Sequence, residues 1–188
     1  LKDTYKSIPN TVYHLGSIND EVFLNNIFEK NEIDIVFHAA AFKHVSLVQS
    51  NILSSINNNI FGTEKILLNI LKYNIKTFIM ISSDKAVEPL NLMGLTKRYC
   101  ELLVKEYGKL SKDNQKILSV RFGNVAGSSG SVIPIFLKNL KNNEDLIVKG
   151  EDSNRFFMSS TEAAYLVTLS TNIQIKNGDV LFFDMGDS

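Results

Sequence analysis

Short, mostly apolar runs alternate along the chain with longer segments in which apolar residues recur every three or four positions. A largely apolar run at residues 33–39 predicts a parallel strand that is buried on both faces. The recurrence of apolar residues over residues 52–73 and 90–108 predicts amphipathic helices. Because strands and helices follow one another with short links, the pattern predicts a doubly wound parallel α/β sheet.

The other predicted elements continue this alternation. Further strands are predicted at residues 77–82, 117–122 and 180–183, with weaker candidates at 11–15 and 146–148. Further helices are predicted at residues 21–30, 132–140 and 160–172. Asp20 precedes the first of these helices, where a short carboxylate side chain can cap free backbone amides.

Composition narrows the classes of function. The 188 residues are 44% hydrophobic and 21% charged, which is typical of about one globular domain. Twenty basic and twenty acidic side chains leave no net charge, so nothing favours nucleic acid or an anionic membrane surface as a partner. The single Cys100 excludes an internal disulfide and fits a reducing cytoplasm. His38 and His44 lack a third ligand at metal-binding spacing, so we expect no metal site.

The most informative stretch follows the strand at residues 77–81. Ser82, Ser83, Asp84 and Lys85 come directly after it, at the carboxyl end of a parallel strand, where open α/β sheets bind their ligands. In the next helix Lys97 shares an apolar stripe with other side chains. An isolated lysine there would extend its amine to water, but a second lysine and an aspartate nearby favour a functional site.

Three runs of residues resemble one enzyme family. Residues 82–98, SSDKAVEPLNLMGLTKR, resemble the active-site segment of the sugar-nucleotide 4,6-dehydratases, a branch of the extended short-chain dehydrogenases/reductases. HAAAFKHV at 38–45 and RFGNVAGSSGSVIP at 121–134 resemble the same family. The chain is most similar to the UDP-N-acetylglucosamine 4,6-dehydratases of polysaccharide and glycan biosynthesis. This resemblance implies a partial Rossmann-like NAD-binding domain at residues 1–122 and a partial substrate-binding region at 123–188, interleaved with the same sheet.

The glycine-rich turn of a dinucleotide-binding sheet is missing from the predicted pattern. Such a sheet opens with a strand, a glycine-rich turn and a helix, and nothing before Gly16 contains that turn. Gly123, Gly127 and Gly130 follow a late strand at a different spacing, which suits a substrate loop better. Because the resemblance also stops after Gly186, we expect an internal fragment that lacks the first two strands of the family sheet and is inactive alone.

The resemblance implies a reaction in which NAD⁺ takes hydride from C4 of the sugar, water is eliminated across C5 and C6, and hydride returns to C6. Removing the C5 proton requires a base, and a lysine amine desolvated beside a second cation qualifies, so we expect Lys85 with Lys97 nearby. Expelling the C6 hydroxyl requires an acid, for which Asp84 is placed if its pKa is raised. An ion pair of Asp84 with either lysine, bracing the turn, is the alternative.

Met93 stands where most extended short-chain enzymes carry the tyrosine four residues before the lysine. A thioether has no proton to exchange, so Met93 cannot act as a general base. The membrane-associated N-acetylglucosamine dehydratases resemble this chain in carrying methionine there. By the resemblance, Ser83 contacts the C4 hydroxyl, while Lys97 holds the nicotinamide ribose and lowers nearby pKa values. The destination of the C4 proton stays open.

The same resemblance implies residues that contact cofactor and substrate. Ala39, Ala40 and Lys43 would line the cleft for both, and Asn59 would support it from the neighbouring helix, with a purely structural amide as the alternative. Ser17 stands where relatives often carry an aspartate near the adenine, which puts that contact in doubt.

The UDP diphosphate is expected on a loop that leads into a helix. Asn124, Ser131 and Arg155 are the residues that the resemblance implies for it, since an arginine fork and a helix start suit phosphate oxygens. A surface ion pair is the alternative for Arg155.

We therefore expect a cytoplasmic NAD-dependent UDP-N-acetylglucosamine 4,6-dehydratase that retains the C5 configuration, because residues 42–45 look closer to that type. The alternatives are a C5-inverting dehydratase, a sugar-nucleotide epimerase, or a sugar-nucleotide-binding module without catalysis. We also expect a homo-oligomer through the helices at about 52–73 and 90–108, the latter being apolar on more than one side. Any membrane contact would come through segments outside this sequence.

Overall fold

A computed structural model of the chain describes residues 10–128, 131–146 and 156–185. Its main sheet contains four parallel strands in the order β1, β2, β3, β6, and a second sheet pairs β4 with β5. The strands are β1 (Ile35–His38), β2 (Thr77–Ile81), β3 (Lys116–Arg121), β4 (Asn124–Val125), β5 (Phe157–Met158) and β6 (Val180–Phe182). The predicted parallel α/β sheet is confirmed.

The helices occupy most of the predicted segments. They are α1 (Glu21–Lys30), α2 (Val45–Ser50), α3 (Ile52–Ile56), a π-helical turn (Asn57–Phe61), α4 (Gly62–Lys72), a 3₁₀ turn (Asp84–Ala86), α5 (Leu92–Leu110), α6 (Val132–Lys141) and α7 (Ser160–Leu169). The predicted cap is confirmed, since the Asp20 carboxylate accepts a hydrogen bond of 3.0 Å from the amide of Phe23. The side-chain oxygen of Asn91 likewise accepts a hydrogen bond from the amide of Gly94. The helix α5 therefore begins at Leu92 and not at residue 90 as predicted.

Apolar side chains are buried on both faces of the central strands. In β2, Phe78 and Met80 pack with α1, α4 and α5 on one face, and Ile79 packs with α7 on the other. These three side chains are at most 1% exposed. A strand that is apolar from Phe78 to Ile81 is therefore stable here because helices cover both of its faces.

The prediction that the first strand is buried on both faces is wrong. Ile35 and Phe37 are 44% and 45% exposed, whereas His38, on the opposite face, is 4% exposed. Ile35 and Phe37 are exposed because β1 lies at the edge of the described sheet and pairs only with β2. On the second face, the described apolar cluster covers β2 and β3 but contains no residue of β1.

Some weaker predictions also differ from the structure. Residues 11–15 form no strand, and Val12 and Leu15 are 72% and 101% exposed because no neighbouring element covers them. At 146–148 only Leu146 is described, outside any strand. The long helix at 52–73 is confirmed but contains the π turn, and α2, β4 and β5 were not predicted. The pairing of two helices with a second copy stays a prediction.

His38 ends β1 in a buried hydrogen-bonded position. Its Nε2 lies 2.8 Å from the hydroxyl of Thr63, and that hydroxyl donates its hydrogen to the carbonyl of Asn59. The hydroxyl therefore accepts from the imidazole, which makes Nε2 the protonated nitrogen of a neutral ring. Burial, and then the charge of Lys97, lower the pKa of His38 to about 3.

We expect His38 to make the protein less stable as pH falls below its unfolded-state pKa. The unfolded chain binds the proton near pH 6.5 and the folded chain only near pH 3, so stability declines by about 1.4 kcal/mol per pH unit over this window. The loss attributable to His38 is about 2 kcal/mol at pH 5. Urea unfolding at pH 7 and pH 5 should show this loss in the wild type and not in His38→Gln. His14→Gln, at an exposed position, is the control. An unchanged pH slope in His38→Gln would contradict the prediction.

Candidate functional site

A cavity of about 510 Å³ opens at the carboxyl ends of β1, β2 and β3. This is the edge at which parallel α/β sheets bind their ligands. The predicted site residues that line it are Ala39, Lys43, Ser83, Lys85, Met93, Lys97, Asn124 and Ser131. Residues separated by more than ninety positions in the sequence thus meet in one cavity, because three strands end at the same edge.

Lys85 and Asp84 form an ion pair in the 3₁₀ turn after β2. The Lys85 amine donates to Asp84 Oδ1 at 3.0 Å and to Asn124 Oδ1 at 3.0 Å. Ser83 donates to the same aspartate oxygen at 2.7 Å. The pair that the sequence left open as an alternative is therefore present, and the Asn124 carbonyl oxygen is used to hold Lys85.

The raised pKa that an acid role for Asp84 would require is not found. Burial alone would raise the pKa of this carboxyl group, but hydrogen bonds from Ser83 and Lys85, together with the charge of Lys85, lower it overall. The donors that outweigh burial follow from the tight turn. In this state Asp84 is a carboxylate and can accept a proton.

Lys97 lies on α5 with its amine directed at the end of β2. The amine donates to the carbonyl of Ile81 at 2.7 Å, and the residue is 9% exposed. Burial lowers its pKa, while the nearby Cys100 and Glu101 raise it. Lys85 and Lys97 line the same cavity, so a molecule bound there would lie against both side chains.

Met93 and Gly94 bring the start of α5 onto the turn that carries Lys85. Met93 is 5% exposed and lines the cavity. A Cβ atom added at Gly94 would collide with the backbone carbonyl oxygen of Lys85. The absence of a side chain at 94 therefore lets the helix approach closely enough to place a thioether beside the lysine.

Asn59 supports the loop after β1 from the π turn. Its side-chain oxygen accepts from the amide of Phe42 at 2.7 Å, and its amino group donates to the Phe42 carbonyl at 3.1 Å and to Thr96 at 3.0 Å. Asn59 is 1% exposed and does not line the cavity, so it braces the wall without reaching a bound molecule. π turns are often found at functional sites, and this one directs the amide towards the loop.

Other predicted contacts have mixed outcomes. Ala40 is exposed and does not line the cavity, in contrast to Ala39. Ser17 is exposed, and its hydroxyl accepts from the amide of Asn19 at 3.2 Å. The hydroxyl of Ser131 is buried at the start of α6 and has no hydrogen-bond partner among the described residues. Arg155 lies outside the described residues, so its predicted role stays a prediction.

A buried acidic residue beneath the cavity was not predicted. Glu101 is 2% exposed and receives hydrogen bonds from Ser82 at 2.6 Å, from both ends of the Arg121 guanidinium group, and from Arg98 at 3.1 Å. Its spacing in the sequence could have indicated this burial, because Glu101 follows Lys97 by four residues and so lies on the same buried stripe of α5.

Comparison with known proteins identifies the family. A family model described as polysaccharide biosynthesis protein matches residues 2–188. The chain belongs to this family. The probable polysaccharide biosynthesis protein EpsC of Bacillus subtilis (strain 168) is 39% identical over 178 residues, which are 94% of this chain and 29% of EpsC. Across the first curated relatives the chain spans less than a third of their length, 29% and 31%.

Solved structures share the fold. Pen from Bacillus thuringiensis superposes with a TM-score of 0.89 at 32% identity, covering 98% of this chain and 58% of Pen. A double mutant of DesIV, a dTDP-glucose 4,6-dehydratase from Streptomyces venezuelae with NAD and DAU bound, gives 0.87 at 18% identity, covering 98% and 61%. The fold is therefore the Rossmann-like fold of the sugar-nucleotide dehydratases, as predicted. Within the described ranges, no helix is both long and apolar enough to cross a bilayer.

We expect Asn59→Ala to destabilise the protein by about 2–4 kcal/mol, because it leaves the buried partners of the side-chain amide unsatisfied. Asn57→Ala is the matched control, since it changes an exposed asparagine of the same π turn. Its effect should stay within about 0.5 kcal/mol. Urea unfolding at pH 7 measures both, and equal effects of the two substitutions would show that the amide contacts are not what matters.

Proposed function

We propose that the whole protein carrying this chain is an NAD-dependent dehydratase that converts UDP-N-acetylglucosamine to a UDP-4-keto-6-deoxy-N-acetylhexosamine with C5 configuration retained. The observation that carries the proposal is the shared cavity of Lys85 and Lys97 beside Met93. Family membership and the likeness of fold to DesIV support the reaction class.

The residues of the cavity fit the nicotinamide end of NAD. An ammonium group has three hydrogens, and Lys97 uses one on the Ile81 carbonyl, which leaves two for ribose hydroxyls. Ala39, at the end of β1, has a side chain small enough for a flat ring to approach the main chain. Bound there, NAD would accept hydride from C4 and return it to C6.

Ser83 and Asp84 would carry the proton of the C4 hydroxyl. Met93 has no proton to exchange, whereas the Ser83 hydroxyl lines the cavity and already donates to Asp84. A proton that leaves the C4 oxygen would pass through Ser83 to Asp84. The lowered pKa of Asp84 keeps it a carboxylate before the reaction, so that it can accept this proton. The same proton would then leave with the C6 hydroxyl as water.

Lys85 would move the C5 proton. It would act as a base in its neutral amine form, after its own proton has passed to solvent water, and its contacts with Asp84 and Asn124 hold the nitrogen in place. Returning the proton to the face from which it came gives retention at C5. Over the cycle the protein takes two protons from the sugar, one from the C4 hydroxyl and one from C5. It gives back two, one to the departing C6 hydroxyl to form water and one to C5, so the steps balance.

The start of α6 would hold the diphosphate. The unpartnered hydroxyl of Ser131 lines the cavity at the first turn of this ten-residue helix, whose amides and dipole favour an anion. The amino group of Asn124 stays available beside it, because only its oxygen is used by Lys85. Arg155, which is not among the described residues, would add its positive charge to the diphosphate site.

Proton NMR of the product tests the function. UDP-N-acetylglucosamine and NAD⁺ incubated with the whole protein should give a 4-keto-6-deoxy sugar with unchanged C5 configuration. A C5-epimerised product would replace this proposal with the inverting dehydratase. A C4 epimer would favour an epimerase, and no conversion with measurable binding would favour a non-catalytic module.

We expect Lys85→Met to lower kcat about 10³-fold, because it removes the base without changing the size of the side chain greatly. Met93→Leu should keep kcat within about threefold, since a volume-conserving change removes no proton-transferring group. Lys109→Met is the control, at an exposed lysine near the end of α5. Steady-state kinetics of the three variants measure this, and a loss in Met93→Leu as large as in Lys85→Met would contradict the assignment.

A further inference from the structure

The carboxylate of Glu101 is the common partner of residues from two strand ends and one helix. Ser82 follows β2 and directly precedes the turn that carries Lys85. Arg121 ends β3, three residues before Asn124. Both side chains bind the Glu101 carboxylate, so the acid ties α5 to the two strand ends that flank the cavity.

The Lys97 amine is buried and, within the described part of the chain, has no direct ion pair. Among the described residues, none of the ion pairs includes Lys97, and its hydrogen bond goes to a neutral carbonyl. Burying an uncompensated cation is costly and normally leads to loss of its proton. Glu101 lies one turn later on the same face of α5, which is the geometry in which helix side chains interact.

Apart from Glu101, no charged or titratable group among the described residues around Lys97 compensates its charge. The groups on the surrounding elements are His38, Lys43, His44, Asp84, Lys85, Cys100, Glu101 and Arg121. His38 is neutral, since its pKa is lowered to about 3. Asp84 is occupied by Lys85. Glu101 is the remaining acid. It is itself paired with Arg121 and Arg98, but its charge lies one helical turn from Lys97 and cancels the charge of Arg121, which would otherwise repel the ammonium.

We propose that Glu101 is a positioning residue that keeps the buried Lys97 ammonium charged beside the cavity while it holds the ends of β2 and β3 together. Glu101 does not reach a bound molecule itself, because it does not line the cavity. The inference rests on the proposed function, in which Lys97 donates hydrogen bonds as a cation. In agreement, the charge of Glu101 raises the pKa of Lys97 against the lowering caused by burial.

The charge of Lys97 can be measured without turnover. NMR of ¹³C-lysine-labelled whole protein, with the Lys97 signal assigned by Lys97→Arg, should show the ammonium form at pH 7 in the wild type. Glu101→Gln should move the titration midpoint of Lys97 to lower pH, while Glu106→Gln, an exposed acid of the same helix, should leave it unchanged. A neutral Lys97 in the wild type, or an unmoved midpoint in folded Glu101→Gln, would overturn the proposal.

Arg98→Gln keeps the test decisive if Glu101→Gln does not fold. Arg98 is half-exposed and donates to Glu101 at 3.1 Å, so its removal exposes more of the carboxylate charge while the fold keeps the Arg121 pair. The Lys97 midpoint should then move to higher pH. A purely structural role for Glu101 predicts no such opposite shifts, so an unmoved or lowered midpoint in Arg98→Gln would contradict the proposal.

Kinetics separate this inference from the proposed function. If Lys97 must be charged, the kcat of Glu101→Gln should be at least about tenfold below that of the wild type at pH 8, and most of this difference should disappear when both are compared at pH 6. A loss that is equal at every pH would indicate damage to the fold and overturn the inference. Absence of UDP-N-acetylglucosamine turnover by the wild type would overturn the proposed function alone, because the NMR titration of Lys97 does not depend on it.

Discussion

The bidentate pair between Glu101 and Arg121 is the interaction on which the carboxyl edge of the sheet depends. Burying two charges is costly, and it is tolerated only when every remaining hydrogen-bonding position is filled. Here Ser82 and Arg98 fill the positions on the carboxylate that Arg121 leaves free. Because the pair joins α5 to the ends of β2 and β3, the loops that carry Lys85 and Asn124 leave the sheet at fixed positions.

Much of the fold could be predicted because the central strands have a continuous apolar pattern that only a doubly covered parallel sheet can bury. The predictions that were wrong concern residues whose burial is set by the elements packed next to them. Ile35 and Phe37 have the sequence character of core residues, yet their exposure is set by the edge position of β1. The π turn at Asn59 depends on a backbone contact with Phe42, seventeen residues earlier, which helical periodicity does not encode.

The candidate site was predictable in its location and less so in its electrostatics. The end of β2 and the stripe on α5 were enough to place Lys85 and Lys97 at one cavity. The pKa of Asp84 was not predictable, because its direction depends on whether burial or local donors dominate, and the donors of the 3₁₀ turn dominate. Glu101 looks like an ordinary charged helix residue apart from its spacing of four from Lys97, and the two arginines that pair with it in its buried position do not follow from the sequence.

The proposed function gives Lys97 a task that differs from proton transfer. With a thioether at Met93, the lysine has no acidic group at the neighbouring position whose proton it could help to release. Its remaining contribution is a fixed positive charge with two free hydrogens, directed into the cavity from the end of β2. A charge that only binds must persist over the working pH range, which is why its surroundings need an acid as well as burial. In the proposed function, proton transfer then falls to Ser83, Asp84 and Lys85, which are consecutive and linked by hydrogen bonds.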